Sequence, residues 1–246
     1  MYKEHHSFHT PNKSLTIWRY LDFTKFVDLL VSNELFFCRA DKFDDPFEGI
    51  FRLKDYENNK NMFSRQQLTK EFYFLNCWHI NENQSDAMWK IFLTTKNGIA
   101  IKSTVEDLMR SIELVKEDIF VGEVEYRELS KMTFHELMNE PKNKIFEGRG
   151  SSLNQFNYKR ISFEHEKELR VFYIDQPIPH TIKGGIPRKS LEHKRIQIDL
   201  NHLIKAVVVA PFAEVWFKEL VEKIIMKLNF NFEVSKSNLY DLDNID

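Results

Sequence analysis

Little in this sequence cross-links, anchors or loosens the chain. Of 246 residues only two are cysteine, Cys38 and Cys77. Neither falls in a metal or CxxC spacing, and two thiols in so long a chain make no disulfide scaffold, so both are expected reduced and buried. Seven glycines and seven prolines argue against a loop-rich or disordered chain. No apolar run reaches the length of a transmembrane helix. Residues 1–14 lack the apolar stretch of a signal peptide, and a cytoplasmic protein is the expectation. Charge of one sign is lacking too: 35 basic against 37 acidic residues leave −2, so no global positive field steers the chain to nucleic acid. A local basic groove stays open as a possibility.

Several motifs are missing. No GxGxxG follows a strand and no GxxxxGK[ST] occurs, which removes a Rossmann dinucleotide site and a P-loop. No GxSxG elbow is present. His165–Glu166 opens like a zinc-protease helix, but Leu169 stands where the second histidine belongs. No metal is expected.

What is present suits one domain with its own core. Apolar residues make up 42% and charged residues 29%, an ordinary globular balance. Residues 1–14, with His5, His6 and His9, read as a flexible terminal segment; residues 15–246 read as one domain. The 22 phenylalanines point to a Phe-rich core or, in part, to aromatic walls of a ligand pocket.

Pattern and propensity predict strands over Leu15–Tyr20, Leu35–Cys38, Phe72–Ile80, Gly98–Ile101, Ile119–Tyr126, Glu168–Ile174, Arg195–Leu200, Ala206–Val209 and Phe230–Val234. Helices are predicted from an Asp22 cap to about Ser32, over Ser64–Glu71, Asp86–Phe92 and Glu214–Leu228, and onward from about Val105. Asp41–Gly49 and Pro177–Pro187 read as loops. Phe134–Asn157 is ambiguous, with a short helix. Strands and helices mix without βαβ alternation, which predicts an α+β fold with largely antiparallel sheets and flanking helices.

Four constellations could carry chemistry. Phe163–Arg170 (FEHEKELR), read as a strand, puts Glu164, Glu166, Glu168 and Arg170 on one face. Paired carboxylates suit chemistry at a sugar carbon with oxocarbenium character: one bonds a ribose hydroxyl, the other orients or deprotonates a nucleophile. The same run also fits a solvated strand edge with an ion pair. Arg19, inside the apolar strand Trp18–Arg19–Tyr20, must find an anion or carbonyls; a phosphate or a carboxylate such as Asp45 would serve. Asp44, Asp45 and Glu48 could bind a cation, cap a helix or shape a turn. Met88, Trp89 and Phe92 could sandwich a flat base or fill the core.

The motifs WRY, RADKFDDPFEG, CWH, AMWKIF, NGIAI and FEHEKELR occur in this order, followed by Val207–Pro211 before an amphipathic helix. Over about Leu15–Leu239 this order resembles a widespread bacterial family of unknown function. More distantly the layout is similar to the ADP-ribosyltransferase superfamily. That resemblance implies NAD as co-substrate, with Arg19, Tyr20, Arg39 and Arg170 among its contacts. It implies stacking of nicotinamide on Trp89 or Phe92, and catalysis by Glu166 and Glu168. Related sequences tend to carry Tyr where this chain has Phe92, so a hydroxyl contact is lost there. The function implied is transfer of ADP-ribose to an unknown intracellular acceptor (protein, RNA or DNA), as in a toxin or phage-defence effector, with an antitoxin or regulatory partner. Two other readings stay open: a non-catalytic nucleotide or nucleic-acid binding module, and a nucleotide N-glycosidase using the same carboxylates.

Overall fold

A strand that shares one edge between two neighbours organises the molecule. The computed structural model describes residues 1–4, 8–9, 11–51, 53–59, 61, 64, 67, 69–93, 96–139, 155–175 and 191–241. The first strand, β1 (Thr16–Asp22), leads into helix α1 (Phe23–Ser32). Asp22 caps that helix by accepting from the Lys25 amide at 2.9 Å. Asn33 stops it in the left-handed region at φ 55°, a conformation Asn tolerates better than most residues. Between those signals Phe26, Leu29 and Leu30 form a buried stripe, each contributing roughly 1.5–3 kcal/mol by burial. Strand β2 (Glu34–Arg39) follows, and then β3 (Tyr73–Ile80), helix α2 (Asp86–Phe92), β4 (Gly98–Thr104) and α3 (Val105–Ser111).

The second half adds β5 (Ile119–Glu123), β6 (Glu125–Arg127), α4 (Phe134–Asn139), β7 (Tyr158–Arg160) and β8 (Glu168–Ile174). It ends with β9 (His193–Gln197), α5 (Leu200–Leu203), β10 (Ala206–Val209), α6 (Val215–Lys227) and β11 (Val234–Lys236). Nine of these strands form one sheet whose main path runs β11–β10–β4–β1–β3–β2–β9, with β8 on the other edge of β3 and β5 beyond it. All its pairings are antiparallel except β10 with β11. The fold is therefore α+β with a largely antiparallel sheet and flanking helices. Among the described residues no helix is long and apolar enough to cross a membrane.

The fork lies on β3. Its outer end pairs with β1, Trp18 opposite His79 and Ile17 opposite Ile80. Its inner end pairs with β2, Cys38 opposite Leu75 and Arg39 opposite Phe74. Residues 76–78 fall between the two registers, so β1 and β2 part there. The other edge of β3 is paired along its length with β8, from Tyr73–Ile174 to His79–Glu168.

Alternation along this β3–β8 ladder sorts the side chains. Phe74, Trp78, Leu169 and Val171 join the main core with α1 and α6. On the opposite face Tyr73, Leu75 and Phe172 pack with Phe8 and Phe156 in a second cluster. That second face is apolar at one end and turns polar at the other, where Cys77, His79, Glu168 and Arg170 stand.

Several expectations need correction. The run FEHEKELR is not one strand. Ile161–Glu166 is a 3-10 turn ended by Lys167 at φ 40°, and β8 begins at Glu168. Residues 164–168 are all Glu, His or Lys, which are poor strand formers, and the continuous β-branched and aromatic stretch begins at Val171. Ile119–Tyr126 splits at Val124, and β6 leaves to pair in parallel with β7 in a second small sheet. The strand expected over Arg195–Leu200 ends at Gln197, because Asp199 caps α5 through the amides of Asn201 and His202. The last strand is Val234–Lys236 rather than Phe230–Val234; Phe230 and Phe232 instead stack at 5.0 Å. Lys70 and Glu71, the end of the helix expected over Ser64–Glu71, belong instead to a 3-10 turn at Lys70–Phe72, and part of the remaining span lies outside the described residues. The same holds for most of Phe134–Asn157 beyond α4, for Pro177–Pro187, and for His5 and His6.

Candidate functional site

The fork opens a cleft of about 380 Å³, within the usual range for small-molecule sites. Its lining comes from both faces of the sheet: Trp18, Arg19 and Tyr20 of β1, Phe36 and Cys38 of β2, the 75–79 stretch of β3, Phe92 of α2, and Glu166 and Glu168.

Beneath the cleft lies a buried charge network. Glu168 accepts from Arg170 Nε at 2.6 Å and from Lys159 Nζ at 2.6 Å. Arg170, fully buried, also donates from Nη1 to Glu48 Oε1 at 2.7 Å and to the Phe156 carbonyl at 2.8 Å. Lys159 reaches Glu166 as well, and lies 3.8 Å from Glu48. Two cations thus meet three carboxyl groups. The charges balance if one carboxyl keeps its proton, and the environment selects Glu166. Burial and the adjacent Glu168 carboxylate push Glu166 up to about 8. Arg170, the contact with Glu166 and Lys159 outweigh burial at Glu168 and hold it far below the usual carboxylate range. One member is therefore a buried anion and the other a neutral acid near pH 7. The Glu168 main chain is held as well: its amide donates to Tyr126 Oη at 2.8 Å.

Two buried polar atoms on the cleft wall lack a hydrogen-bond partner among the described residues: Arg19 Nη1 and His79 Nε2. Arg19 is half-buried as a residue, but that nitrogen is sealed from solvent. Its guanidinium lies 5.9 Å from the Trp78 ring centre. Burial draws the group down to about 10, offset in part by the Cys77 thiol, and it remains a cation at neutral pH. A buried cationic donor with no acceptor is costly unless something anionic completes it. His79 is also buried, and its Nδ1 donates to the Glu166 carbonyl at 2.6 Å. Burial lowers its pKa, so the neutral ring presents an Nε2 lone pair.

The structure brings Arg19, Tyr20, Phe92, Glu166 and Glu168 to one cleft, with Arg170 directly beneath. Two expected contacts do not reach it. Trp89 is 3% exposed and packs edge-on behind Tyr20 at 4.9 Å; its helix turns it inward with Met88, leaving Phe92, 51% exposed, as the aromatic at the rim. Arg39 is taken by Asp41, with bonds of 2.6 and 2.9 Å, and by the Leu191 carbonyl. Of the Asp-Pro-Phe-Glu loop, Asp45 shapes the turn through the Phe47 amide and pairs with Arg160, so it does not partner Arg19. Glu48 turns inward to Arg170. Glu164 is exposed and takes no part.

Sequence reasoning missed His79 and Lys159 as site residues, and it gave Glu48 a cation-binding, capping or turn role rather than the bond to Arg170. His79 was findable, because it follows Cys77 at strand spacing inside the CWH motif. Lys159 carries no local signal. No family model matches the chain, and neither does any curated protein or any solved structure.

Proposed function

We propose that this protein cleaves the nicotinamide–ribose bond of NAD and transfers ADP-ribose to an acceptor. One observation carries the reading: a buried, unpartnered guanidinium and an acid–carboxylate pair face the same aromatic-walled cleft. Arg19 suits the pyrophosphate, since its free Nη1 needs an anionic acceptor. Tyr20 and Phe92 offer ring faces and edges to flat groups. Glu168 supplies fixed negative charge beside a sugar carbon that becomes positive as the glycosidic bond breaks. Arg170 and Lys159 position that carboxylate. Glu166, holding its proton at neutral pH, donates a hydrogen bond rather than taking a proton.

The test is nicotinamide release from NAD by wild type and by Glu168→Gln, with and without cell extract. Release by folded wild type and loss in the variant are expected. Equal release by both would remove Glu168 from the chemistry.

A second reading has its own observation. Both oxygens of Glu168 are already engaged, one by Lys159 and one by Arg170, which suits a rigid nucleotide-binding module without turnover. It predicts NAD or ADP binding by calorimetry from a protein that releases no nicotinamide.

A further inference from the structure

We propose that His79, and not the second carboxylate, is the general base of the site, and that the group it activates is a hydroxyl. This rests on the reading of the cleft as an ADP-ribosyl transfer site. Transfer to an O–H nucleophile needs a base to receive the proton as the nucleophile closes on the sugar carbon. Glu166 is poorly suited, because the network beneath the cleft leaves it carrying a proton. Glu168 has both oxygens occupied.

His79 has what they lack. It stands directly across the β3–β8 ladder from Glu168, which places the two side chains on one face, with Cβ atoms about 5 Å apart in such pairs. Its Nδ1 proton is pinned by the Glu166 carbonyl. That bond fixes the tautomer and leaves Nε2 as a lone-pair acceptor. Nε2 is buried and has no partner among the described residues, and His79 lines the cleft. Tyr20 crosses it edge-on from β1 at 6.3 Å, which limits ring rotation. The titratable groups around it come from each neighbouring element: Glu168 from β8, Tyr20 from β1, Cys77 on its own strand, and Glu166, His165 and Lys167 from the turn. His165 and Lys167 add to burial in favouring the neutral ring.

In the step assigned to it, the acceptor O–H bond breaks and its proton passes to Nε2. The oxygen bonds to the ribose C1′. The C1′–nitrogen bond breaks with its electron pair leaving on nicotinamide, and the imidazolium later returns its proton to solvent. Water and an alcohol hydroxyl share this chemistry. An acceptor that is already an anion needs no base.

That difference supplies the test. Wild type and His79→Gln, shown by circular dichroism and thermal unfolding to be folded, are given NAD with water alone, with added methanol, or with sodium azide. Products are resolved as ADP-ribose, its methyl glycoside or its azide. The expected result is a loss of roughly 10²-fold or more in release to water and methanol for His79→Gln, with azide restoring nicotinamide release and giving the azide adduct. In wild type, the methyl glycoside against ADP-ribose separates an alcohol acceptor from water. A readout independent of turnover is the ¹⁵N spectrum of histidine-labelled protein, in which Nε2 of His79 is expected as an unprotonated nitrogen that shifts when NAD is added. Wild-type release with His79→Gln equally active overturns the assignment of His79 alone. A lost activity that azide does not restore also overturns it, by making His79 structural. A folded wild type that releases no nicotinamide under any condition overturns the transfer reading itself, and this assignment with it.

Discussion

Arg170 and Glu48, 122 residues apart in the chain, meet at 2.7 Å with both side chains buried. The contact ties the Asp-Pro-Phe-Glu loop to the centre of the sheet. Arg170 also holds Glu168, so the loop, the strand and the cleft carboxylate form one unit. Removing one partner of a buried ion pair leaves uncompensated charge, at a cost of about 3–5 kcal/mol. Arg170→Met is expected to lower stability by that order in urea unfolding. Lysine keeps the charge but not the planar fork that reaches Glu168, Glu48 and the Phe156 carbonyl together, so Arg170→Lys is expected to recover only part of the loss. Full recovery would mean that charge alone, rather than geometry, matters here.

Arg19 should behave in the opposite way. Its buried Nη1 has no acceptor among the described residues, so the fold bears a desolvation cost there without return. Arg19→Met is expected to leave the melting temperature unchanged or raised, while abolishing the stabilisation that the proposed site is expected to draw from ADP in a thermal-shift titration of wild type. A variant that melts lower and still responds to ADP would show that Arg19 serves structure, not ligand.

The pattern of legibility in the sequence follows from range. Local signals were readable: the Asp22 cap, the Asn33 stop, the Asp86–Phe92 helix and the Glu168–Ile174 strand all depend on neighbours within a few positions. The α+β class follows from those elements. The fork on β3 was not readable, because it depends on which strands share an edge, and no local pattern encodes that. The candidate site divides in the same way. Glu168, Arg170 and Arg19 stood out as charges in strand patterns, but Glu48 and Lys159 join them only through the tertiary fold. Of the two aromatics expected to stack, Trp89 or Phe92, Phe92 stands at the cleft rim and Trp89 is buried, because the face that α2 buries is decided by packing.

The two aromatics of α2 should therefore separate cleanly. Trp89 is buried in the core and Phe92 is at the cleft rim. Trp89→Ala is expected to cost about 3–5 kcal/mol through the cavity it leaves. Phe92→Ala should change stability by less than about 0.5 kcal/mol, as exposed sites do, and should weaken nucleotide binding. Calorimetry with ADP and NAD, beside urea unfolding, checks both. Phe92→Tyr is expected to bind at least as well as wild type, since the ring face is kept.

Gly49 closes the loop that carries Glu48, at φ +67°, and a Cβ added there would come within 2.4 Å of the Phe156 ring. Both the backbone conformation and the contact oppose a side chain. Gly49→Ala is expected to destabilise by about 1–3 kcal/mol and to disturb Arg170 through Phe156, whose carbonyl accepts from it. A coupled loss would appear in a double-mutant cycle with Glu48→Gln as a non-additive term. Strict additivity would mean that the glycine and the ion pair act independently.

The carboxyl pair gives the pH dependence its sign. Glu166 is raised to about 8, through burial and the adjacent Glu168 carboxylate. The folded protein therefore keeps a proton that the unfolded chain releases near its ordinary value. Between those two values the native state binds more protons, so the contribution of Glu166 is full at low pH and is lost as pH climbs through about 8. Glu168 runs the other way. Its folded value is depressed, chiefly by Arg170 against the penalty of burial, so its contribution is present above the ordinary carboxylate range and is lost as pH falls below it. Together they place the most favourable pH for this pair on the weakly acidic side of neutrality. Melting temperatures from pH 5 to 9 are expected to fall toward the alkaline end in wild type. Glu166→Gln, a neutral side chain of the same shape, should flatten that fall and leave the acid limb in place. An unchanged alkaline slope in the variant would mean that the proton is held elsewhere in the network, with Lys159 the next group to replace.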